Sequence, residues 1–493
     1  MTSNFIFTNG SVQQTFDTVF LLRSDYSSSA TTIGASNFRI STGKDLEDYF
    51  LIRNNNLPLG ITSSRTILTN FKKSSIDLGS LLFYKGDLLD SYEAILSSNA
   101  NAFPKLFGWG ESYYAGNGGG VSRINPGILS GMESIKFKKI DTSHRHSAAI
   151  TTGGALYTWG TNGYSELGRT GSTTSPLQLG SATTWKDVAC GKDYTVAVKT
   201  DGTLWSWGRN AGGQLGLGDY NNRSTPTQVI TPPPGSSTIW STVAAGSGTH
   251  AAAIKTDGTI WAWGSNGYGQ LGAGNFNTQN SPNRMQRVMA NGYGTVEGAS
   301  WAQVACGYSF TIAIDISGNI WSTGFNASGQ LGLGFYNNSR YLLNPIGSGS
   351  DWKQVSCGKT HALAVKTDGQ IYGWGNNSSG QLAIGSSGNS TSTPIQEYYS
   401  RKNWNRVDCG GYSTAAIGND GFYYFAGYNH QFQWGSNSST SNQTTLTRGG
   451  TGSDSNYGSD FNAGTANWKR VAIGYGHVVA IIGTSTQNGT IGL

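Results

Sequence analysis

Histidine is the residue of this chain best suited to acid–base catalysis or metal binding, and most of its six histidines follow one spacing. Four of them share one position of a repeated unit: His146, His250, His361 and His477. That position holds Tyr194, Phe310 and Ser413 in other units. Because phenylalanine replaces histidine there, the position requires bulk, and we predict buried rings with one hydrogen bond each. His144 and His146 as paired metal ligands on one strand face are the weaker interpretation, and no metal site is predicted.

The four cysteines also share one repeat position, and they are Cys190, Cys306, Cys357 and Cys409. Equivalent positions of different units lie in separate environments, so a disulfide would need Cα atoms closer together than neighbouring units allow. Ala245 and Ile473 occupy the position in two other units, which indicates a small or apolar side chain. We therefore predict buried, reduced thiols, which do not argue for an oxidising compartment.

Motifs for other kinds of chemistry are absent from the sequence. It contains no Gly-x-Ser-x-Gly elbow and no Gly-x-x-x-x-Gly-Lys-Ser/Thr phosphate loop, and its glycines instead follow a turn pattern. The Asp-Gly pairs lack the alternating acidic ligands of a calcium loop. With only 27 acidic residues in 493, no general acid–base pair stands out by spacing. We predict a protein that is not an enzyme and binds no cofactor.

Two β-rich elements alternate along the chain and position these residues. One is an aromatic-x-Trp-Gly type of strand, which begins at Phe107, Tyr157, Trp205, Trp261, Trp321, Tyr372 and Tyr424. The other is a Val-type strand, which begins at Ile140, Val188, Val243, Val304, Val355, Val407 and Val471. Asp-Gly pairs between strands predict type I′ hairpins. The chain enters on a Trp-Gly strand and leaves on a Val-type strand, so these two should complete one unit and close a ring.

The tryptophans follow the same repeat. Fourteen of the 15 occupy repeat positions, and we interpret them as packing between units. Trp434 is the exception. We predict that it lies in a loop, where an aromatic ring is available to a ligand.

The fullest copy of the repeat identifies a family. It reads Val355-Ser356-Cys357-Gly358-Lys359-Thr360-His361, then Trp374-Gly375-Asn376-Asn377 and Gly380-Gln381-Leu382. This pattern resembles the repeats of the regulator of chromosome condensation family. The resemblance covers residues 105–485 and implies an all-β, seven-bladed β-propeller closed by its N- and C-terminal strands, with 486–493 as a tail.

The family's best-known activity is nucleotide exchange on a small GTPase of the Ran type, together with chromatin docking. That activity implies a basic N-terminal tail and an acidic surface loop, and the sequence shows neither. Fold alone does not assign function.

Residues 1–104 differ in character, and we predict a small N-terminal anchoring domain with weak internal repeats. Segment 37–53 parallels segment 70–85, and each combines an Asp, apolar residues, an aromatic residue and a basic residue. We predict that each copy begins a short helical turn. The predicted assembly contacts are Asp45, Leu46, Phe50, Asp77, Leu78 and Phe83. The segments are similar to N-terminal segments of structural proteins of tailed bacteriophages and some large viruses, which implies binding to other virion proteins.

The propeller would then present loops for recognition. Stretches 275–300, 335–351 and 434–467 are rich in Asn, Ser, Gly, Tyr and Arg, and we predict irregular contact loops. The candidate contact residues are Arg284, Arg287, Tyr336, Arg340, His430 and Trp434. The expected partner is a host-surface receptor or a glycan, with homo-oligomers forming within a particle.

Net charge and hydropathy bear on the classes of partner and on the location of the protein. The formal charge of +6 is modest and forms no dense basic run, so no nucleic-acid partner is predicted. No apolar stretch is long enough to span a membrane, and the N-terminus is not a signal peptide. We therefore predict a non-enzymatic virion structural protein located in the virion, with a cytoplasmic location as the alternative. The alternative functions are a cellular propeller adaptor or nucleotide exchange factor for a small GTPase, and a glycan-binding adhesin.

Overall fold

The computed structural model describes residues 105–119, 122–230, 239–288, 300–435, 441–449 and 467–483, with the backbone alone of Thr295–Val296 and of short strands in the first sixty residues. Every regular element within this described part is a β-strand. None of the described residues forms a helix long and apolar enough to cross a membrane. The chain divides into two compact units, Met1–Ala102 and Phe103–Leu493.

The first unit contains two small antiparallel sheets. One has the strand order Val12–Thr15, Phe5–Asn9 and Asn37–Ile40, and the other has the order Leu21–Leu22, Phe50–Asn54 and Leu57–Gly60. Phe50, predicted to end a helical turn, instead begins a strand. Its side chain and the other predicted assembly residues lie outside the described residues: Asp45, Leu46, Asp77, Leu78 and Phe83.

The second unit contains seven antiparallel sheets, the blades of a propeller. Blades 1 to 6 are 137–178, 185–228, 240–284, 301–345, 352–396 and 404–448; blade 7 joins 467–483 to 105–128. The inner strands are Phe137–Thr142, Trp185–Gly191, Trp240–Ala245, Trp301–Cys306, Trp352–Cys357, Trp404–Cys409 and Asn467–Ile473. The second strands are His146–Thr151, Tyr194–Lys199, His250–Lys255, Phe310–Asp315, His361–Lys366, Ser413–Gly418 and His477–Gly483.

The remaining two strands of each blade carry the chain outward. The third strands are Leu156–Gly160, Leu204–Gly208, Ile260–Gly264, Ile320–Gly324, Ile371–Gly375, Tyr423–Gly427 and Lys105–Gly110. The outer strands are Thr173–Gln178, Arg223–Gln228, Gln279–Arg284, Arg340–Pro345, Thr391–Gln396, Gln443–Arg448 and Arg123–Ile128.

Blade 7 closes the ring, as predicted. Its second strand, from the C-terminal part of the chain, pairs with the strand that opens the propeller, with His477 opposite Gly110 and Ala480 opposite Phe107. The two half-blades at the ends of the propeller therefore complete one four-stranded sheet. The all-β, seven-bladed propeller is confirmed.

The tryptophans fill the seams, which are the spaces between neighbouring blades. Trp207 of blade 2 is fully buried, and its indole N–H donates to the carbonyl of Glu166 in blade 1 at 2.9 Å. Trp263 donates in the same way to the carbonyl of Gln214 at 2.9 Å. Burial with the N–H satisfied is what a large aromatic residue requires, and it confirms that these aromatics pack between blades.

The Asp-Gly hairpins differ from the prediction. Gly202 has a φ of 79°, whereas Asp201 is not among the residues with positive φ, so the turn is not type I′. The amide of Gly202 donates to the carbonyl of Lys199, and Lys199 N–H donates to Thr203 O. The loop is thus a three-residue hairpin with a left-handed glycine. The Asp201 carboxylate accepts the Thr203 N–H at 2.9 Å, which favours this loop.

The three stretches predicted to be irregular loops each contain an outer strand: Gln279–Arg284, Arg340–Pro345 and Gln443–Arg448. Their low hydrophobicity concealed the strands because outer strands face solvent on much of their surface. Blade 4 is also extended, because Arg287–Val288 pairs in parallel with its outer strand and in antiparallel fashion with Thr295–Val296.

Candidate functional site

The inner strands surround the propeller axis, and their alternation decides which side chains reach it. Each inner strand has Phe137 or a tryptophan at its first or second position. The residue two positions after this aromatic residue belongs to what we call the brace layer: Lys139, Asp187, Thr242, Gln303, Gln354, Arg406 and Arg470. The residue four positions after it belongs to the wall layer: Asp141, Ala189, Ala244, Ala305, Ser356, Asp408 and Ala472. The intervening Val-type residues are buried in the seams.

The brace layer ties neighbouring blades together. The Gln303 amide donates to Val355 O at 3.0 Å and accepts from Val355 N at 2.9 Å. Gln354 makes the same pair of bonds to Val407, at 2.7 and 2.9 Å. These side chains satisfy backbone groups that a ring of seven separate sheets leaves unpaired at the axis.

An ion pair replaces the glutamine bridges between blades 1, 2 and 3. The Lys139 ammonium lies 2.7 Å from the Asp187 carboxylate, which also accepts from Thr242 Oγ1 at 2.6 Å and Val243 N at 3.1 Å. Burial alone would raise the pKa of Asp187, but Lys139 and the hydrogen bonds outweigh it and the pKa is lowered.

The inner strands surround a cavity of about 230 Å³ on the axis. Its lining contains the wall-layer residues, glycines that follow the inner strands, and five brace-layer residues: Lys139, Gln303, Gln354, Arg406 and Arg470. Two carboxylates interrupt these walls, Asp141 in blade 1 and Asp408 in blade 6, on either side of Ala472 in blade 7.

Both carboxylates accept hydrogen bonds from the next blade. Asp141 Oδ2 accepts from Cys190 N at 2.6 Å, and Asp408 Oδ2 accepts from Ile473 N at 2.8 Å. Burial raises the pKa of Asp141 to about 7, and it raises the pKa of Asp408 to about 7 as well. The cavity therefore holds two acids that change charge near neutral pH.

The cavity opens at what we call the axial rim, the turns that join inner to second strands: 143–145, 192–193, 246–249, 307–309, 358–360, 410–412 and 474–476. Backbone bonds link neighbouring turns, such as Tyr308 N to Lys359 O at 3.3 Å and Tyr475 N to Ser143 O at 3.3 Å. These bonds hold the turns in one ring, so their side chains form a connected surface.

A row of aromatic and basic side chains follows the axial rim. The Lys359 ammonium lies 5.8 Å from the Tyr308 ring and donates to the Tyr412 hydroxyl at 2.8 Å. The row continues from Tyr412 to Tyr475, with ring centroids 5.9 Å apart, and from Tyr475 to His144, 5.0 Å apart. The hydrogen bond to Tyr412 raises the pKa of Lys359, which keeps its charge at neutral pH.

The repeat histidines face the seams and not the axial rim. His146, His250 and His361 place Nε2 within 3.0, 3.0 and 3.1 Å of the hydroxyls of Thr195, Thr311 and Thr414 in the next blade; for His477 the distance to Ser147 is 2.8 Å. The three threonine hydroxyls donate onward to the carbonyls of Glu166, Gln270 and Gln381. The predicted buried rings with one hydrogen bond are confirmed.

The seam histidines are neutral at physiological pH. Since each threonine hydroxyl donates its proton elsewhere, the histidine Nε2–H must be the donor. Burial lowers the pKa of His250 to about 4 and the pKa values of His361 and His477 to about 3. His144 lies apart on the rim, and no group of three His, Cys, Asp or Glu side chains within the described residues is suited to a metal ion.

The four cysteines are unpaired thiols, three of them buried and Cys357 half-buried. Three of the thiols approach backbone carbonyls of the preceding blade, for example Cys190 Sγ and Asp141 O at 3.6 Å, whereas Cys409 Sγ lies 3.9 Å from Thr414 Oγ1 in its own blade. Burial raises the pKa of the Cys306 thiol to about 12, and that of Cys409 likewise to about 12, so these groups are structural and unreactive.

Four predicted contact residues lie in blades 3 and 4. Arg284 and Arg287 are half-buried, and the Arg287 guanidinium lies 5.2 Å from the Trp321 ring. Tyr336 is exposed, and its hydroxyl donates to Ser390 O at 2.9 Å. The Arg340 guanidinium lies 4.5 Å from the Phe335 ring.

The other two predicted contacts belong to blade 6. His430 is exposed and stacks on Tyr428 with centroids 4.7 Å apart. Trp434 is not in a loop outside the repeat: it takes the place of the Gly-Gln-Leu leucine and packs into the core between blades 6 and 7. Its backbone N–H donates to Asn429 Oδ1 at 2.8 Å, as that of Leu382 does to Asn377 Oδ1. These six residues do not form one site.

Sequence reasoning missed both the rim row and the cavity carboxylates. A signal for Asp141 and Asp408 was present, because charge interrupts a repeat position that is otherwise alanine or serine. The rim turns give a weaker signal, since their sequences vary from blade to blade.

Comparison with known proteins identifies the family. The RCC1-like domain model matches residues 90–341, more than half of the chain, and the regulator of chromosome condensation (RCC1) repeat matches residues 352–381 and 368–417. The chain belongs to the RCC1-like family.

Several RCC1-like proteins are similar to it. The ultraviolet-B receptor UVR8 of Arabidopsis thaliana is 30% identical over 336 residues, covering 67% of this chain and 72% of the receptor. The probable E3 ubiquitin-protein ligase HERC6 of Homo sapiens is 29% identical over 297 residues, 58% of this chain but only 28% of the ligase.

Solved structures show the same fold. Human WBSCR16 superposes with a TM-score of 0.64 at 18% identity, covering 77% of this chain and 99% of that protein. Yeast RCC1 (Prp20) gives a TM-score of 0.66 at 16% identity, covering 81% and 92%. At such identities the likeness concerns the fold alone.

These relatives correct the predicted location. UVR8, HERC6 and the mitochondrial protein RUG3 of Arabidopsis thaliana, 33% identical over 198 residues, are cellular proteins. The prediction of a virion location is therefore wrong: a short N-terminal similarity outweighed a repeat that covers most of the chain. The relatives favour the alternative, a cellular propeller of the adaptor or exchange-factor type.

Proposed function

We propose that this RCC1-like propeller is a non-enzymatic interaction module that holds an acidic segment of a protein partner on its axial rim. The observation that carries the proposal is the row of Tyr308, Lys359, Tyr412, Tyr475 and His144, which crosses five blades. Seven sheets fix these side chains, so the surface is preformed and loses little freedom on binding.

The exposed parts of this row suit a protein interface. Tyr308 is 41% exposed and Tyr475 39% exposed, although both rings have neighbours that hold their orientation. Rigid tyrosines and basic residues are the side chains that most often dominate binding energy at interfaces.

Charge on the axial rim favours an acidic partner. Arg145, Lys192, Lys359 and the adjacent Arg209 face two carboxylates, Glu111 and Asp193, which leaves an excess of two positive charges. The Lys359 ammonium remains charged beside Tyr412. Such an excess attracts and orients an acidic segment.

The relatives agree with a binding role more than with a common reaction. UVR8 is a receptor, HERC6 is a probable ubiquitin ligase of which this chain matches 28%, and structures of yeast RCC1 concern its complex with Kap60 and its binding to Gsp1p and histones. What these proteins share with this chain is the propeller.

The test is affinity capture with the full chain and a rim variant, Lys359→Glu with Tyr412→Ala. The matched control is Lys353→Glu with Tyr398→Ala, which changes an exposed lysine and an exposed tyrosine away from the axial rim. We expect a protein captured by the wild type and the control to be lost from the rim variant. The purified partner should bind the rim variant at least about tenfold more weakly than the wild type. Its binding to the wild type should also weaken at high salt.

Thermal unfolding of both variants checks that they fold like the wild type. If the rim variant and the wild type capture the same proteins with equal affinity, the axial rim is not the docking surface. If the control variant alone loses the partner, docking occurs on the side of the propeller that carries Lys353.

A further inference from the structure

We propose that the axial rim continues outward as an aromatic track over the seam between blades 3 and 4, and that this track holds an extended, proline-containing stretch of the partner. The aromatic track consists of Tyr308, Phe325, Tyr268, Tyr341 and Phe276. The inference rests on the proposed function, since it names what adjoins the acidic residues of the partner segment. The acidic and the proline-containing parts contact different side chains, so the two proposals can fail separately.

The inner half of the track begins on the axial rim. Tyr308 is the rim residue whose ring lies 5.8 Å from the Lys359 ammonium. The carbonyl of the next residue, Ser309, accepts a hydrogen bond from Phe325 N at 2.8 Å. The Phe325 ring in turn packs against Tyr268 of blade 3, with ring centroids 4.6 Å apart. The rim row is therefore connected to an aromatic pair that lies across the seam between blades 3 and 4.

The outer half of the track reaches the outer strand of blade 4. Gly269, next to Tyr268, packs so closely on this strand that a Cβ atom there would lie 2.7 Å from Tyr341 Cα. The Tyr341 ring packs against Phe276 with ring centroids 5.2 Å apart. Four rings of the track are between 41% and 47% exposed: Tyr308, Tyr268, Tyr341 and Phe276. Contiguous exposed rings that are held by their neighbours are typical of an interaction site.

The fold does not require aromatic residues at these positions, because the repeat builds the same seam without them. The positions of Tyr268, Phe325 and Tyr341 hold glycine or polar residues in the two neighbouring seams: Gly212, Ser265 and Asn280 between blades 2 and 3, and Ser328, Asn376 and Ser392 between blades 4 and 5. This equivalence is structural, since the glycine that packs on Tyr341 has its counterpart in Gly329, which packs on Ser392. Packing between blades therefore does not account for the three aromatic residues, and binding does.

The backbone of the track indicates how a partner segment is held. Tyr341 O accepts from Gly274 N at 2.9 Å, and Leu343 N donates to Gln286 O at 2.9 Å. The outer edge of this strand is thus paired with the chain itself, so a partner cannot add a strand there. A bound segment must instead be recognised by the rings. Polyproline II segments suit such a surface, because their backbone is extended without internal hydrogen bonds and their prolines pack on aromatic side chains.

Charge along the track agrees with a partner in which acidic residues flank the proline-containing stretch. Lys359 lies at the inner end of the track, beside Tyr308. Arg340 precedes Tyr341 at the outer end, where its guanidinium lies 4.5 Å from the Phe335 ring. The segments that form the track, 265–280, 307–309 and 325–341, contain no acidic residue. Acidic residues on either side of the stretch therefore meet positive charge and no repulsion from these segments.

The experiment measures the binding of three fluorescent peptides to the full chain by anisotropy. The first peptide joins a run of glutamates to a stretch of alternating proline and leucine. The second has glycine and serine in place of the proline–leucine stretch, and the third has them in place of the glutamates. We expect the wild type to bind the first peptide at least about fivefold more tightly than the second. Alanine in place of the prolines should remove most of this gain.

The track variant is Tyr268→Ser with Tyr341→Ser, which gives this seam the serines found between blades 4 and 5. It should bind the first peptide no more tightly than the second, and its affinity for the second should equal that of the wild type. The matched control is Tyr113→Ser with Tyr220→Ser, which removes two exposed rings outside the track and should change neither affinity. Thermal unfolding checks that both variants fold like the wild type.

The outcomes separate the two proposals. If the wild type binds the first and second peptides equally, the aromatic track is not a binding site, and this comparison needs no variant to fold. Acidic docking still stands in that case if Lys359→Glu with Tyr412→Ala weakens the binding of the second peptide. If the third peptide binds as tightly as the first, the track is supported and acidic docking fails. A gain that survives the replacement of proline by alanine overturns the proline-containing occupant, and no binding of any peptide overturns both proposals.

Discussion

Two neighbouring seams of this propeller solve the same packing problem with different chemistry. Between blades 4 and 5, Phe310 packs over Gly307, the facing residue is Ala362, and Trp374 donates to Gln330 O at 3.0 Å. Between blades 5 and 6, His361 donates to Thr414 at 3.1 Å, and Ala426 stands in the tryptophan position. At this position the first seam pairs two apolar residues, whereas the second contains a chain of hydrogen bonds, and both seams also bury an apolar cluster.

The difference shows that the two sides of a seam change together. The four histidines face hydroxyl residues, whereas Tyr194, Phe310 and Ser413 face Ala251, Ala362 and Val478. A buried N–H needs an acceptor, and a buried hydroxyl needs a neighbour that is not purely apolar. The repeat therefore accommodates both kinds of seam: every histidine has a hydroxyl partner, and Ser413, which faces Val478, donates instead to Tyr428 O at 2.9 Å.

The largest effect is expected in the apolar seam. Trp374→Ala removes a fully buried indole and its hydrogen bond to Gln330, so we expect a loss of about 3–5 kcal/mol in the free energy of unfolding. Urea denaturation measures it. Tyr398→Ala, which removes an exposed ring, should cost well under half as much. Equal losses for the two variants would mean that seam burial does not dominate stability.

The second-largest effect is expected in the pH dependence of stability, which should differ between the two seams. The folded-state pKa of His361 is about 3, below the ordinary value of 6.5, so the unfolded chain binds more protons between these values. The stability that neutral His361 contributes is thus present above pH 6.5 and lost as the pH falls. Between pH 7 and 5 the wild type should lose about 2 kcal/mol more than His361→Phe. Denaturation at both pH values tests this, and equal losses would show that His361 is not held neutral.

The ring of seven blades was predictable from sequence because its cause is local and repeated. Every unit has a Val-type strand and an aromatic-Gly strand, and the half units at either end can pair only with each other. Positions that recur with the same residue type, such as the seam tryptophans, were assigned correctly for the same reason.

Residues that depart from the repeat were harder to place. Trp434 was not recognised as a repeat position because Phe432 stands where most units have glycine, which hides the Gly-Gln-Leu pattern. Phe432 adopts a φ of 61°, close to the 74° of the equivalent Gly213. Asp141 and Asp408 were missed because they are far apart in sequence, and only ring closure brings both to one cavity. The rim row likewise depends on turns from five blades.

A double-mutant cycle tests the matching of seam partners with a smaller effect. Thr414→Ala alone leaves the His361 N–H without an acceptor and should cost about 1–3 kcal/mol. Adding His361→Phe recreates the Phe310–Ala362 pair of the neighbouring seam. The double variant should therefore lose less stability than the two single variants lose in total. We expect a coupling energy of about 1 kcal/mol from urea denaturation. Additive losses would show that the two residues are not matched.

The smallest effect is expected at Trp434, which sharpens the contrast with Trp374. Trp434 is half-buried and its indole N–H has no partner within the described residues, so the blade uses mainly its backbone N–H and part of its apolar body. Trp434→Leu introduces the residue found at this position in blades 1 to 5 and should change the free energy of unfolding by about 1 kcal/mol or less. A loss near that of Trp374→Ala would mean that the blade 6–7 seam, which ends the ring, depends on this indole after all.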